Sequence, residues 1–246
     1  MADAFETAGL HRLWRNGLFA LVFALGAWAW AGGLLPTIFD LWDDVTFLTR
    51  QHIQLVAISG GLAILVGVPI GVLLTRPRFR RYGNVALQVL NIGATIPTLA
   101  VLALSMSALG IGDRPAIFGL FIATLLPIVS NTLAGIRAVP AYLIEAARGM
   151  GMSARQILWQ VELPNAMFVI FAGIRTALAV NVGTVPLAFL IGGGGLGELI
   201  FSGIALNEFG MMLAGAIPTA LLAILVDFIM GQLQLWTIPR GVNPLR

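Results

Sequence analysis

The chain has 246 residues, 59% of them hydrophobic and only 10% charged, with a mean hydropathy of +0.94. Water-soluble domains carry roughly 25% charged residues, so this composition argues against a soluble globular protein, and the absence of cysteine excludes a disulfide framework, thiol chemistry and any cysteine-based metal site. The net charge is +3, and all fourteen cations are arginines, every one but Arg175 placed in a loop rather than on one basic face, so nucleic acid is not an expected partner.

In chain order the sequence predicts six apolar spans, at 17–35, 53–75, 84–109, 115–135, 165–190 and 209–235, each near the roughly 20 residues needed to cross hydrocarbon. The first follows Arg12 and Arg15 and contains Ala27-Trp28-Ala29, a pattern shared with processed leader segments. Its apolar run is long for such a leader, and it is read as a retained helix. Span 2 carries Ala63, Gly67 and Gly71 at four-residue intervals, a small-residue ridge that lets helix backbones approach closely. Pro69, Pro97, Pro127, Pro186 and Pro218 fall inside spans 2 to 6, whereas span 1 has none. Proline removes a helix hydrogen bond and bends the helix, so five bent helices around a passage are expected, with one straight helix at the periphery. This divides the chain into an N-terminal segment (1–16), a peripheral membrane helix (17–35), a membrane core (52–235) and a tail (236–246).

Arginine sets the orientation. Eleven arginines lie before span 1, between spans 2 and 3, between spans 4 and 5, and after span 6; only Arg50 and Arg114 lie on the other side, among Asp40, Asp43, Asp44, Asp113, Glu198 and Glu208. Cytoplasmic loops hold the excess of Arg and Lys, which places both termini and the loop 137–164 in the cytoplasm.

That loop is too charged for lipid and too regular for a slack linker. Pro140 suits the first turn of a short helix that runs to about Arg148. Gly149 and Gly151 then permit a reversal. Ser153 with Gln156 fits a capping box opening a second helix over about 154–162, which Leu163-Pro164 is expected to end. Leu143, Ile144, Met150 and Met152 are expected to leave apolar surface for a partner to cover. The other reading of this segment is a helix lying flat on the headgroups.

Inside the spans Asn91, Thr95, Thr98, Asn131, Asn181 and Thr184 are polar. Each is read first as an interhelical hydrogen bond; with Pro97 they are also candidates for a shared polar seam along a passage. Arg175 can snorkel toward the interface or pair with Asp227. Gly192-x-Gly194-x-x-Gly197 matches a dinucleotide fingerprint only by its glycines, since no βαβ unit surrounds it; a flexible or re-entrant turn is the expected reading. His11 and His52 stand alone, and no phosphate-cradling loop, zinc motif or nucleophile elbow is present. No catalytic residue, metal site or cofactor is expected.

The order Glu145-Ala146-Ala147, Gly151, Leu163-Pro164 resembles the coupling loop of importer-type ABC transporter permeases. The resemblance spans about 52–235. Asn91-Ile92-Gly93-Ala94-Thr95-Ile96-Pro97-Thr98, Leu126-Pro127-Ile128 with Asn131-Thr132, Asn181-Val182-Gly183-Thr184 and Leu213-Ala214-Gly215-Ala216-Ile217-Pro218 are similar to bacterial osmoprotectant uptake permeases of the glycine betaine, carnitine and choline group. Pro186-Leu187-Ala188-Phe189 and the four glycines at 192–195 depart from that group's pattern. The resemblance implies an all-α membrane protein with the MetI-like type I importer permease fold and a cytoplasmic coupling helix. It implies an inner-membrane transport subunit without enzymatic activity, working with a dimer of cytoplasmic ABC ATPases, a second permease subunit and an extracytoplasmic solute-binding protein. Glu145, Ala146, Ala147, Gly149, Met150, Gly151, Met152, Leu163 and Pro164 would then meet or transmit force from the ATPase. Two other readings stay open, a permease for a different small solute such as an amino acid, and an ion-driven carrier.

Overall fold

A computed structural model describes residues 34–238. The segment 1–16, nearly all of the expected peripheral helix at 17–35 and the tail from 239 lie outside the described residues. Those described are helical, with no strand among them. A short helix α1 (Leu34–Asp40) leads into α2 (Trp42–Thr75); α3 (Arg80–Ala94) and α4 (Thr98–Leu109) form a bent pair; α5 (Asp113–Arg137) crosses back. Two short helices, α6 (Ala141–Gly149) and α7 (Ala154–Ile157), then precede α8 (Leu163–Thr184). A 3₁₀ segment (Val185–Ile191), α9 (Gly197–Leu206) and α10 (Phe209–Thr237) complete the bundle.

Four helices are long and apolar enough to cross a membrane, and the α3–α4 pair makes a fifth crossing if read as one broken span. Their outward faces are apolar: Leu221, Ile224 and Phe228 on α10 are 60%, 65% and 60% exposed. A surface of this kind suits lipid and not water.

Three expectations change. The span expected at 84–109 is broken, its halves meeting at 96°. Proline disfavours helical geometry in the residue before it, and Ile96 precedes Pro97. The last turn of α3 tightens instead, with Thr95 N–H bonding Ile92 O at 3.0 Å and Ile96 N–H bonding Gly93 O at 3.1 Å, while Pro97 caps α4. The second span begins at Trp42 rather than 53, because Asp43 and Asp44 in its first turn favour the positive end of the helix dipole. At 34 residues, or ~50 Å at 1.5 Å per residue, α2 outruns the hydrocarbon. Finally, Leu163-Pro164 does not end the second elbow helix. Residues Ala154–Ile191 form one 38-residue run. A π-helical turn at Leu158–Glu162, where Leu163 N–H reaches Leu158 O, widens the helix just before Pro164. Such a turn accommodates a proline that has no N–H to continue the ladder.

Helix α5 is the hub, packed against α2, α8, α4 and α3. Ala63, Ile128, Ala166, Ile170 and Ile174 share one buried cluster where α2, α5 and α8 meet. The ridge on α2 is the contact: Gly67 lies under Ile128 and Leu125, and Gly71 under Thr132 and the Val129 carbonyl. A methyl group at Gly71 would sit 2.5 Å from Thr132 Cβ and 3.1 Å from that carbonyl, whereas one at Gly61 would meet nothing. Gly71→Ala is therefore expected to destabilise the purified chain by about 1–3 kcal/mol, as overpacking does. Gly61→Ala, on the open side of the same helix, should leave thermal unfolding in detergent unchanged. Equal stability of the two variants would contradict this packing.

Candidate coupling elbow and intramembrane polar sites

The elbow is built by local chain chemistry. Pro140 opens α6 from an extended backbone, with φ −57° and ψ 133°. The helix closes through three carbonyl contacts. Met150 N–H bonds Ala146 O at 3.0 Å, Gly151 N–H bonds Arg148 O at 2.9 Å, and Met152 N–H bonds Ala147 O at 3.1 Å. This is a Schellman closure, which needs a left-handed residue after the cap, and Gly151 supplies it with φ +77°. Ser153 then opens α7 with a capping box: Gln156 N–H donates to Ser153 Oγ, and Ser153 N–H donates to Gln156 Oε1 at 2.8 Å.

Of the nine residues expected to work this joint, Glu145, Ala146, Gly149, Met150 and Gly151 are exposed and share the outer surface. Met150 is 75% exposed. Ala147 is buried, and Met152, Leu163 and Pro164 are half-buried within the joint. The expected apolar surface is differently made. Leu143 and Ile144 pack onto the bundle core, and the large apolar side chains left outside are Tyr142, Met150 and Trp159. Tyr142 and Trp159 gave no sequence signal, because which side of a short helix faces the bundle depends on distant residues. On the inner side Arg76, at the end of α2, bonds Glu162 in the π turn at 2.5 Å.

The polar residues of the spans do not gather into one seam. Asn91, Thr95 and Pro97 are exposed around the α3–α4 break, with Thr98 half-buried at the start of α4. Asn131 bonds the Pro127 carbonyl of its own helix at 2.8 Å and fills the space left by Gly173 on α8. Asn181 is buried and donates to Ser59 Oγ at 2.9 Å, joining α8 to α2. Thr184 donates back to Asn181 O at 3.0 Å. Asn131 and Asn181 thus act as local and interhelical bonds, and the exposed group at 91–98 stands apart from them.

The four glycines at 192–195 form a tied turn rather than a free one. Gly194 N–H bonds Asp113 Oδ1 at 3.2 Å and Gly195 N–H bonds Gln51 Oε1 at 3.1 Å. His52, wholly buried beside it, has Nε2 3.1 Å from Val182 O. Within the membrane Arg175 on α8 and Asp227 on α10 form a two-bond ion pair, with side chains 41% and 40% exposed. Among the described residues no group of His, Cys, Asp or Glu could hold a metal ion.

Residues 67–238 match the family model described as the binding-protein-dependent transport system inner membrane component. The chain is 51% identical over 207 residues to the osmoprotectant import permease protein OsmY of Salmonella typhimurium, covering 84% of this chain and 87% of that one. It is 39% identical over 203 residues to the choline transport system permease protein OpuBB of Bacillus subtilis, covering 82% and 93%. Its fold is similar to a chain of the inward-facing MetNI methionine ABC transporter, with a TM-score of 0.70 at 24% identity over 80% of this chain and 96% of that one.

Two outcomes follow from this geometry. Gly151→Ala puts a side chain at positive φ, a strain of roughly 1 kcal/mol, and should speed amide exchange across 147–156. Gly149→Ala, where a methyl group meets nothing, should not. In the bundle, Asp227→Asn should lower folded yield by leaving Arg175 unpaired, and the exchanged pair Arg175→Asp with Asp227→Arg should recover most of it. An exchanged pair no better than the single variant would show that the two charges act independently.

Proposed function

From the premise that this chain belongs to the binding-protein-dependent transport system inner membrane components, we propose that it is the membrane-spanning subunit of an ATP-driven importer for small quaternary-ammonium osmoprotectants such as glycine betaine. Family membership makes it a transport subunit, not an enzyme, and implies a membrane, an ATPase and a solute-binding protein. The finer arrangement belongs to the proposal: two permease subunits, a pair of ATPases on the cytoplasmic side with the elbow and both termini, and the binding protein on the opposite face.

One observation carries this reading. The elbow offers a compact outward face of Glu145, Ala146 and Met150, backed by a Schellman closure and a capping box that fix its shape. A flat headgroup-bound helix needs no such joint. A subunit gripping α6 acts through the Gly151 closure on a rigid piece, because α7 continues without interruption into the membrane as α8. The solute assignment rests on the osmoprotectant and choline permeases, 51% and 39% identical to this chain.

The test is ATP-dependent uptake of labelled glycine betaine by vesicles holding the permease, its ATPase and its binding protein. Ala146 faces outward, so Ala146→Trp leaves the interior of the chain untouched and obstructs only what docks there. Uptake should fall about tenfold or more, the equivalent of losing ~1.4 kcal/mol at the interface, with membrane insertion unchanged. Full uptake by a correctly inserted Ala146→Trp protein would remove the ATPase from this face. Uptake of an unrelated solute, with none of glycine betaine, choline or carnitine, would leave the transport reading and change its cargo.

A further inference from the structure

Behind the elbow, between the ends of α2 and α5 and the start of α3, lies a cleft of about 660 Å³. Its polar lining includes Arg76, Arg137, Arg148, Asn84 and Glu162, over an apolar floor. Three guanidinium groups thus face one carboxylate. Glu162 is already engaged by Arg76 at 2.5 Å. Arg137 finds only a neutral partner, donating to Asn84 Oδ1 at 3.0 Å. It is held there by close approach to α3, where Gly83 lacks the side chain that would displace its Nη2. The Arg148 guanidinium, at the end of α6, makes no ion pair or hydrogen bond among the described residues. Two cations from different elements therefore line a half-enclosed space whose one carboxylate, Glu162, is already paired with Arg76.

We propose that this cleft binds a phosphate group, with Arg137 and Arg148 as its principal ligands and the Asn84 amide as a further donor. Guanidinium forks match phosphate oxygens in two-bond geometry, and several forks converging on one point favour an anion with many acceptor oxygens. The depth is suitable, since α2 and α5 cross the membrane and end at Thr75 and Arg137, which places the cleft at headgroup level. The cleft also lies on the inner side of the elbow. Ile157 and Ile144 line it, while the outward Glu145, Ala146 and Met150 do not. A phosphate bridging Arg137 and Arg148 fastens α6 to the end of α5 and so restrains the elbow. The group can come from an anionic lipid headgroup or from a soluble phosphate.

The test uses the purified full-length chain in lipid nanodiscs of phosphatidylcholine with or without phosphatidylglycerol, with bound lipid counted by native mass spectrometry. Retention of phosphatidylglycerol by the wild type, reduced about tenfold in Arg137→Gln/Arg148→Gln as expected for lost charge-assisted bonds, supports a lipid source. Arg81→Gln, an exposed arginine outside the cleft, should retain lipid like the wild type. In a second arm, inorganic phosphate is compared with chloride at equal ionic strength. Protection of the wild type against thermal unfolding, absent in the double variant, supports a soluble source. Should the double variant fold poorly, Arg148→Gln alone serves, because the Arg148 guanidinium has no partner in the fold to lose. Equal binding by wild type and variant in both arms overturns the proposal. So does protection that appears only when the ATPase is added, with neither lipid nor phosphate bound. Neither binding readout needs transport, so their failure leaves the importer reading standing.

Discussion

The structure depends on how closely α2 can approach α5. In hydrocarbon, lipid tails are as apolar as leucine, so helices gain little by hiding apolar surface from one another; association comes from contact quality and polar bonds. Gly67 and Gly71 remove side chains where α2 meets Ile128 and Thr132, and the backbones close until dispersion contacts are dense. Gly135 repeats the device against Val169 and the Ala166 carbonyl, bringing α8 to the same hub. With α5 gripped on both sides, Ser59 comes within reach of Asn181, and the ends of α2 and α5 converge where the elbow attaches.

Against that rigid hub, departures from regular helix mark where the chain does something else. Non-helical backbone at membrane depth persists only where protein or water satisfies its polar groups. The α3–α4 break is exposed on the single chain, with Asn91, Thr95 and Pro97 all on the surface. The half-exposed Arg175–Asp227 pair makes a parallel demand. Asp227 lies ten residues inside the end of α10 at Thr237, ~15 Å along the helix, so the pair sits within the span and not at its end. A second permease subunit, part of the proposed assembly, would supply cover for such sites that the isolated chain lacks.

What the sequence revealed and what it withheld divide by range. The elbow was legible because its determinants are neighbours: Pro140 at a first turn, Gly151 at a left-handed position, Ser153 three residues before Gln156. The ridge at Ala63, Gly67 and Gly71 was legible from helical spacing alone. The bend at Pro97 was signalled, its size was not, since Pro69, Pro127 and Pro218 sit inside helices that continue. A proline states that a bond is missing; only the neighbours decide whether the helix goes on. Partners far apart in the chain, Arg76 with Glu162 and Asn181 with Ser59, are set by the packing and leave no mark in spacing. The same reason explains why Leu143 and Ile144 turned inward while Tyr142 and Trp159 stayed out.

The π turn has the largest consequence for the proposed coupling. A helix stopped at Leu163-Pro164 would have hung the elbow from the membrane by a joint, and motion of α6 and α7 would have dissipated there. Instead the run from Ala154 to Ile191 is continuous over 38 residues, ~57 Å of rod. The places where the elbow can yield are therefore the closure at Gly151 and its contacts with the bundle. One of these, Arg76–Glu162, ties the π turn to the end of α2. Displacing α7 must then tilt α8 or break that pair. Tilting α8 moves Asn181 against Ser59 and Arg175 against Asp227, so a push outside the membrane loads polar contacts well inside it. A lever that is stiff along its length and pinned by a few directional bonds has discrete resting positions, which is what alternating access by such a subunit requires.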